Sequence, residues 1–357
     1  MRILLSGYYG FGNLGDEAIL ATIVAALRTR FPLAQIEVLS ATPEVTAQEL
    51  GISAAPRWEQ AAIREAIARC DVLLSGGGGL MQSATSLRSL LYYAGIVRSA
   101  LRAGRRAMIF AQSIGPLDFW GKQTLRECCR GLSAATVRDE RSRALLASLV
   151  PGTPIERTAD PVFLYDPPPD APPAHEQVGG PLVVAAVRKT AHWPDGIAAL
   201  AASVDRLAER YGARTAFVPF AGAADAEAAT AVIRRCNSKP MLLPLEGLDA
   251  VAAAISRASL VIGVRLHALI LAARFGVPFL AVPYDPKVSA LLEDLAYPLP
   301  PLWTPGERAA ACSAERLDAA WSRRDQAAEQ LRDKLPAMRA RAARNVEVLA
   351  EVVATAP

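Results

Sequence analysis

The sequence predicts an α/β protein built of two Rossmann-like domains facing each other across a cleft. Three observations carry that prediction. Short apolar runs alternate with helical periods through the first half, a proline-rich stretch interrupts the pattern near the middle, and the alternation then restarts. A chain of 357 residues is comfortable for two such domains. The expected division is residues 1–166, residues 178–310, and a helical tail, 311–357, packing back on the N-terminal domain.

In the first half, strands are expected at Ile3–Ser6, Ile36–Leu39, Asp71–Ser75, Ala107–Ala111 and Ala134–Val137. Helices are expected at Ala18–Arg30, Trp58–Cys70, Ser89–Ala103 and Lys122–Leu132. The stretch Tyr165–Gly180 holds five prolines and a Gly-Gly pair, which reads as a stiff linker. Beyond it, strands are expected at Leu182–Val187, Thr215–Pro219, Met241–Leu243, Leu260–Gly263 and Phe279–Val282. The helices between them fall at Ile197–Tyr211, Asp225–Cys236, Leu248–Arg257 and Leu266–Phe275. The tail from Ala314 reads as helix, broken or kinked at Pro336.

Composition excludes several classes. The net charge is only +4 and the basic residues are scattered, so there is no polybasic arm for nucleic acid. Five cysteines, an odd number without C-x-x-C spacing, read as reduced thiols in a reducing compartment. No metal-ligand cluster is visible, and no metal or cofactor is expected. The N-terminal apolar run is too short for a signal peptide, and none approaches the ~20 residues of a membrane span. A cytoplasmic protein is expected, with peripheral contact at the inner face of a membrane left open. Oligomeric state is not readable.

The chain's organising stretch is Val261 to Lys287, VIGVRLHALILAARFGVPFLAVPYDPK. A β-branched strand ends at Gly263, Arg265 and His267 follow, and a helix closes at Gly276. A second strand then delivers Lys287 to the start of another helix. Two consecutive strands thus place three basic side chains at their carboxyl ends, the edge where open α/β sheets bind ligands. Helix N-termini there favour anions. Only three histidines occur in the chain, and this one is flanked by an arginine, Arg265, where no acidic partner is nearby. The pattern suits a small, multiply charged anion beside a titratable group. Arg188, Lys189 and His192, after the first strand of the second domain, are candidates to line the same cleft.

The first half offers its own loops. Gly10-Phe11-Gly12-Asn13-Leu14-Gly15 fits G-x-G-x-x-G by letter, but Leu39-Ser40-Ala41-Thr42 supplies no acid to grip a ribose. Asn13 and Asp16 stand at the helix entrance, where Asp16 is either an N-cap or a ligand for sugar hydroxyls. The run Gly76–Gly79, with Gly77 and Gly78 at its centre, requires something to approach the main chain closely: a ligand or a packing neighbour. Gln112 and Ser113 end a strand and could donate to hydroxyls. Arg138 ends another, either facing the cleft or paired with Asp139 or Glu140.

Taken together, Asn13-Leu14-Gly15-Asp16, Gly76–Gly79, Gln112-Ser113-Ile114-Gly115-Pro116, Val137-Arg138-Asp139, Asp160-Pro161-Val162-Phe163 and Arg265-Leu266-His267 occur in the order found in bacterial polysaccharide pyruvyl transferases. The chain resembles that family up to about Tyr297, most of all its CsaB-like branch, which acts on cell-wall polymers. The resemblance implies a GT-B-like fold and transfer of pyruvate from phosphoenolpyruvate to a sugar as a ketal. It also implies that Arg138, His267 and Lys287, with Arg265 beside them, surround the donor. The acceptor, an N-acetylmannosamine residue of a cell-wall precursor, lipid-linked or not, is then expected on the first domain at Asn13, Asp16, Gly77, Gly78 and Gln112. The donor is expected on the second domain, with Arg188 adding to the site. A rival reading keeps the fold but uses a nucleotide-sugar donor, with Glu246 or Asp249 gripping the ribose. A third is a non-catalytic anion- or glycan-binding protein.

Overall fold

The computed structural model describes residues 1–84, 86–166, 180–190, 193–244 and 247–354. Residues 167–179 of the expected Tyr165–Gly180 linker, His192 and Glu246 lie outside them. The chain divides into two compact units, Met1–Tyr165 with Met338–Pro357, and Asp166–Ala337.

The first unit runs β1 (Arg2–Ser6), α1 (Leu14–Arg30), β2 (Gln35–Ser40), α2 (Pro43–Leu50), β3 (Ser53–Pro56), α3 (Gln60–Arg69), β4 (Val72–Gly76), α4 (Leu87–Arg102), β5 (Arg106–Gln112), α5 (Phe119–Cys128), β6 (Ala134–Val137), α6 (Glu140–Leu149) and β7 (Ile155–Arg157). Its parallel sheet has the order β3-β2-β1-β4-β5-β6-β7. The inner strands are buried on both faces, which is why they read as unbroken apolar runs such as Ile3-Leu4-Leu5 and Val72-Leu73-Leu74. The strand order reverses between β1 and β4, so this sheet's crevice opens where the Gly7–Asn13 and Gly76–Gly79 loops leave those two strands.

The second unit runs β8 (Leu182–Ala186), α7 (Trp193–Tyr211), β9 (Arg214–Phe217), α8 (Gly222–Ile233), β10 (Met241–Leu242), α9 (Leu248–Ser256), β11 (Leu260–Gly263), α10 (Leu266–Arg274), β12 (Phe279–Ala281) and α11 (Pro286–Asp294). The parallel order β10-β9-β8-β11-β12 places its reversal between β8 and β11. Gly263 ends β11 because α10 packs directly on it: a Cβ there would lie 2.3 Å from the Leu269 side chain.

The tail departs from expectation. Helix α12 (Ala309–Ser322) belongs to the second unit, where Leu317, Ala320 and Trp321 enter the core and Asp318 binds Arg206 and the Tyr211 hydroxyl on α7. Only from Met338 does α13 (Arg324–Ala354) join the first unit, where Asn345 is buried against Thr158 and Ala159. Helix α13 continues through Pro336 without a break. Its first half packs in one unit and its second in the other, and that tertiary support outweighs the proline's lost hydrogen bond.

Candidate functional site

In the first unit, the entrance of α1 is built differently from the expectation. The helix begins at Leu14, and its N-cap is Asn13, whose Oδ1 accepts from the Gly15 amide at 3.2 Å. Asp16 is not the cap. It lies in the first turn and accepts a bond from Asn13 Nδ2. Glu17, the next residue, takes the Gly10 amide at 2.9 Å. Burial pushes its carboxyl up to about 7, opposed in part by the Gly10, Phe11 and Gly12 amides that face it.

The glycines are explained by the chain itself. A Cβ on Gly10 would meet the Ser40 hydroxyl at 2.2 Å, and one on Gly77 would meet Ile19 at 2.1 Å. Both residues also have positive φ, 78° and 66°. The close approach at Gly77 is thus the packing of α1 against the end of β4. Gly78 does more: its carbonyl accepts from Arg138 Nη2 at 2.7 Å and from the Ser113 amide at 3.0 Å, and its Cα faces Asp16.

Arg138 is buried, and its carboxylate partner is Asp160 rather than Asp139 or Glu140. Asp139 instead caps α6, while Glu140 binds Arg143. With Ser113 Oγ accepting from both Nε and Nη2, four of the five guanidinium N–H groups have partners. Two bonded pairs, Asn13–Asp16 and Arg138–Gly78, thus adjoin in one cluster, with Gly78 Cα facing Asp16. Gln112 does not join it: fully buried, its amide nitrogen donates to the Ser75 carbonyl at 2.7 Å and to Ser75 Oγ. The expectation that Gln112 offers its amide to an acceptor is corrected accordingly. The inward turn follows from Ala111, at φ 50° where the β5–β6 register shifts, with its amide held by Thr136 Oγ1.

In the second unit, three neighbouring strands carry cations just past their carboxyl ends. Arg188 follows β8, Arg265 and His267 follow β11, and Lys287 follows β12. The absence of an acidic partner for Arg265 does not survive. Its Nε donates to Asp225 Oδ2 at 2.8 Å and its Nη2 to Oδ1, and Asp225 also accepts the Phe220 and Ala221 amides. The guanidinium is neutralised and ties the end of β11 to the loop before α8. His267 lies half-buried in the first turn of α10. Lys287 lies in the first turn of α11, capped by Asp285. Asp249 stands in the first turn of α9.

Among the described residues, Arg188 has no carboxylate partner. Its guanidinium lies 4.9 Å from the Tyr284 ring centre, and Nη1 donates to the Tyr284 hydroxyl at 2.9 Å. That contact links the loops after β8 and β12 across the end of β11. A cavity of about 650 Å³ opens there, lined by Arg188, Lys189, Tyr284, Trp303 and Arg308 among others. Arg265, His267 and Lys287 are not among the residues that line this cavity.

The family model for polysaccharide pyruvyl transferases matches residues 13–286. The chain belongs to the polysaccharide pyruvyl transferase family. It is therefore a transferase, and the family implies a saccharide acceptor. The match contains Arg138, Arg265 and His267 and stops one residue before Lys287.

The fold is shared with GT-B enzymes of nucleotide-sugar chemistry. HepE of Anabaena, solved with UDP and glucose, superposes with a TM-score of 0.67 at 12% identity, over 99% of each chain. The UDP-GlcNAc 2-epimerase of Neisseria meningitidis, bound to UDP-GlcNAc, gives 0.63 at 10% identity, covering 98% of this chain and 100% of its own. At such identities the likeness concerns the fold alone. No curated protein sequence matches the chain.

All five cysteines have free thiols. Among the described residues, no cluster of His, Cys, Asp or Glu could hold a metal ion, and no helix is long and apolar enough to cross a membrane.

Proposed function

We propose that this pyruvyl transferase takes its pyruvyl group from phosphoenolpyruvate and forms a ketal on a sugar of a cell-wall polysaccharide precursor, releasing phosphate. The observation that carries the reading is the row of basic side chains after β8, β11 and β12, three adjacent strands flanking the reversal of a parallel sheet. Phosphoenolpyruvate combines a carboxylate with a phosphate of charge roughly −1.5 to −2, so it needs several cations. Arg188 offers a planar fork to one of these groups and Lys287 a point charge. Arg265, bound to Asp225, acts as a positioning residue for the β11 end that bears His267. Arg138, with at most one N–H left over, contributes chiefly by fixing Gly78 and Ser113.

In the proposed reaction His267 gives a proton to C3, and C2 becomes oxocarbenium-like. One sugar hydroxyl adds to C2 and loses its proton. The C2–O bond to phosphate breaks and phosphate departs, and a second hydroxyl closes the ketal with loss of its own proton. General acid catalysis of this kind is worth about 10²–10⁴-fold. Positive charge near the departing phosphate lowers the barrier further. An N-acetylmannosamine residue is the acceptor we favour, on the first unit near Asn13, Asp16 and Gly78, whether lipid-linked or not. The CsaB-like branch and a cytoplasmic place of work, where phosphoenolpyruvate is made, belong to the same proposal.

One observation favours a second reading, a nucleotide-sugar donor. The cavity beside Arg188 is larger than a three-carbon phosphate fills, and Tyr284 and Trp303 could stack on a base. Phosphate release separates the two. Enzyme, phosphoenolpyruvate and a methyl glycoside of N-acetylmannosamine should release phosphate in proportion to the glycoside. No glycoside dependence, together with tight calorimetric binding of UDP, would replace the first reading by the second.

A further inference from the structure

Resting on that reading for its sugar acceptor, we infer that Tyr8, Phe11 and Trp58 form a stacking platform for a pyranose ring at the carboxyl edge of the first unit's sheet. Tyr8 and Phe11 lie on the loop after β1, and Trp58 follows β3. All three are exposed, by 40%, 38% and 65%. They are not scattered surface hydrophobics. The Tyr8 and Phe11 rings stack at 4.1 Å and 10°, Phe11 meets Trp58 edge-on at 6.1 Å, and Trp58 meets Tyr92 of α4 at 5.6 Å.

Beneath them lies Arg57, 2% exposed. Its Cζ is 4.8 Å from the ring centres of Phe11, Trp58 and Tyr92, and 5.4 Å from that of Tyr93. Nη1 donates to the Gly7 carbonyl at 2.6 Å and Nη2 to the Tyr93 hydroxyl at 3.0 Å, while Tyr92 donates to the Arg57 carbonyl. Among the described residues it has no carboxylate partner. A buried guanidinium solvated by carbonyl, phenol and ring faces fixes the rings in place before any ligand arrives. Glu17 holds the same loop from the other side, through Gly10.

The occupant follows from the chemistry. The outer ring faces are electron-rich and meet polarised C–H groups, which line one side of a pyranose. The flank holds the Asp16 carboxylate, the Glu17 carboxyl and the Thr42 hydroxyl, which donates to the Gly10 carbonyl. Acceptors of that kind suit sugar hydroxyls and repel the phosphate of a nucleotide or a prenyl phosphate. Gly12, at φ 68° with nothing near its missing Cβ, leaves the approach open.

The test is saturation-transfer NMR and calorimetry on the full chain, with methyl glycosides of N-acetylmannosamine, N-acetylglucosamine and glucose as probes. Expected are saturation of the protons on one ring face and a loss of about tenfold in affinity for Trp58→Ala, largely restored in Trp58→Phe, with phosphoenolpyruvate binding unchanged. Circular dichroism confirms that each variant folds. The platform is overturned if no glycoside binds the wild type, or if Trp58→Ala binds them as the wild type does. It is equally overturned if farnesyl phosphate or UMP, and not the glycosides, depends on Trp58. Trp58-dependent glycoside binding without glycoside-dependent phosphate release would sink the pyruvyl donor and leave the platform standing.

Discussion

The two sheets end in the same kind of crevice and fill it with opposite chemistry. Past β1, β3 and β4 the first unit presents aromatic faces, backbone carbonyls and the carboxyl groups of Asp16 and Glu17, while Arg138, buried near the glycine run, is neutralised by Asp160. Past β8, β11 and β12 the second unit presents Arg188, His267 and Lys287, with Arg265 beside them paired to Asp225. A shared topology thus locates two sites but specifies neither ligand. The side chains on a few loop positions do that, and in the proposed function they assign a neutral polyol to one edge and an anion to the other.

That contrast can be broken by mutation. The largest effect is expected at His267: His267→Ala should lower glycoside-dependent phosphate release by about 10²–10⁴-fold while the protein stays folded. A binding protein without catalysis would keep its ligand affinity and show no turnover to lose. The Arg138–Asp160 and Arg265–Asp225 ion pairs, whose carboxylates are both buried, come next. Arg138→Met strands Asp160, and Arg265→Met strands Asp225. Each should lower unfolding stability by about 3–5 kcal/mol, read from urea midpoints. A small loss at Arg265 alone would show that its charge is available to a ligand.

Smaller effects sharpen the assignment of ligands to edges. Arg188→Ala and Lys287→Ala should each raise KM for phosphoenolpyruvate by about 10–100-fold and leave KM for the glycoside alone. Equal effects on both substrates would dissolve the division between the units. The smallest expected effect concerns Glu17, whose carboxyl sits at about 7 in the folded chain against an ordinary 4.5. Between those values the folded state keeps a proton that the unfolded chain has lost. Stability therefore falls as pH rises through that window and levels off above it, by no more than about 3 kcal/mol. Glu17→Gln should flatten the profile in pH-dependent urea melts; an unchanged profile would place the titration elsewhere.

What could be read in advance shows where local and nonlocal information part. The buried strands and the G-V-R-L-H turn were legible because each is a short pattern of residue types with a local cause. The strands Ser53–Pro56 and Ile155–Arg157 escaped, being short edge strands with little apolar signal. Asn13 as a cap was within reach, since an Asn before a helical period is a local signal. Asp225 as the partner of Arg265 was not, lying 40 residues away in the first turn of α8. Nor was Arg57, whose rings come from three separate segments.

By itself the sequence determined the two α/β halves, the family, and which basic and glycine residues stand at strand ends. Those depend on periodicity and spacing, which neighbouring residues fix among themselves. Tertiary structure alone decided that Arg138 and Arg265 pair with Asp160 and Asp225, that Gln112 turns inward, that α12 stays with the second unit, and that a sunken arginine gathers exposed rings. Each of these is settled by a partner distant in sequence, because burial and charge compensation act between whatever the fold brings within a few ångströms.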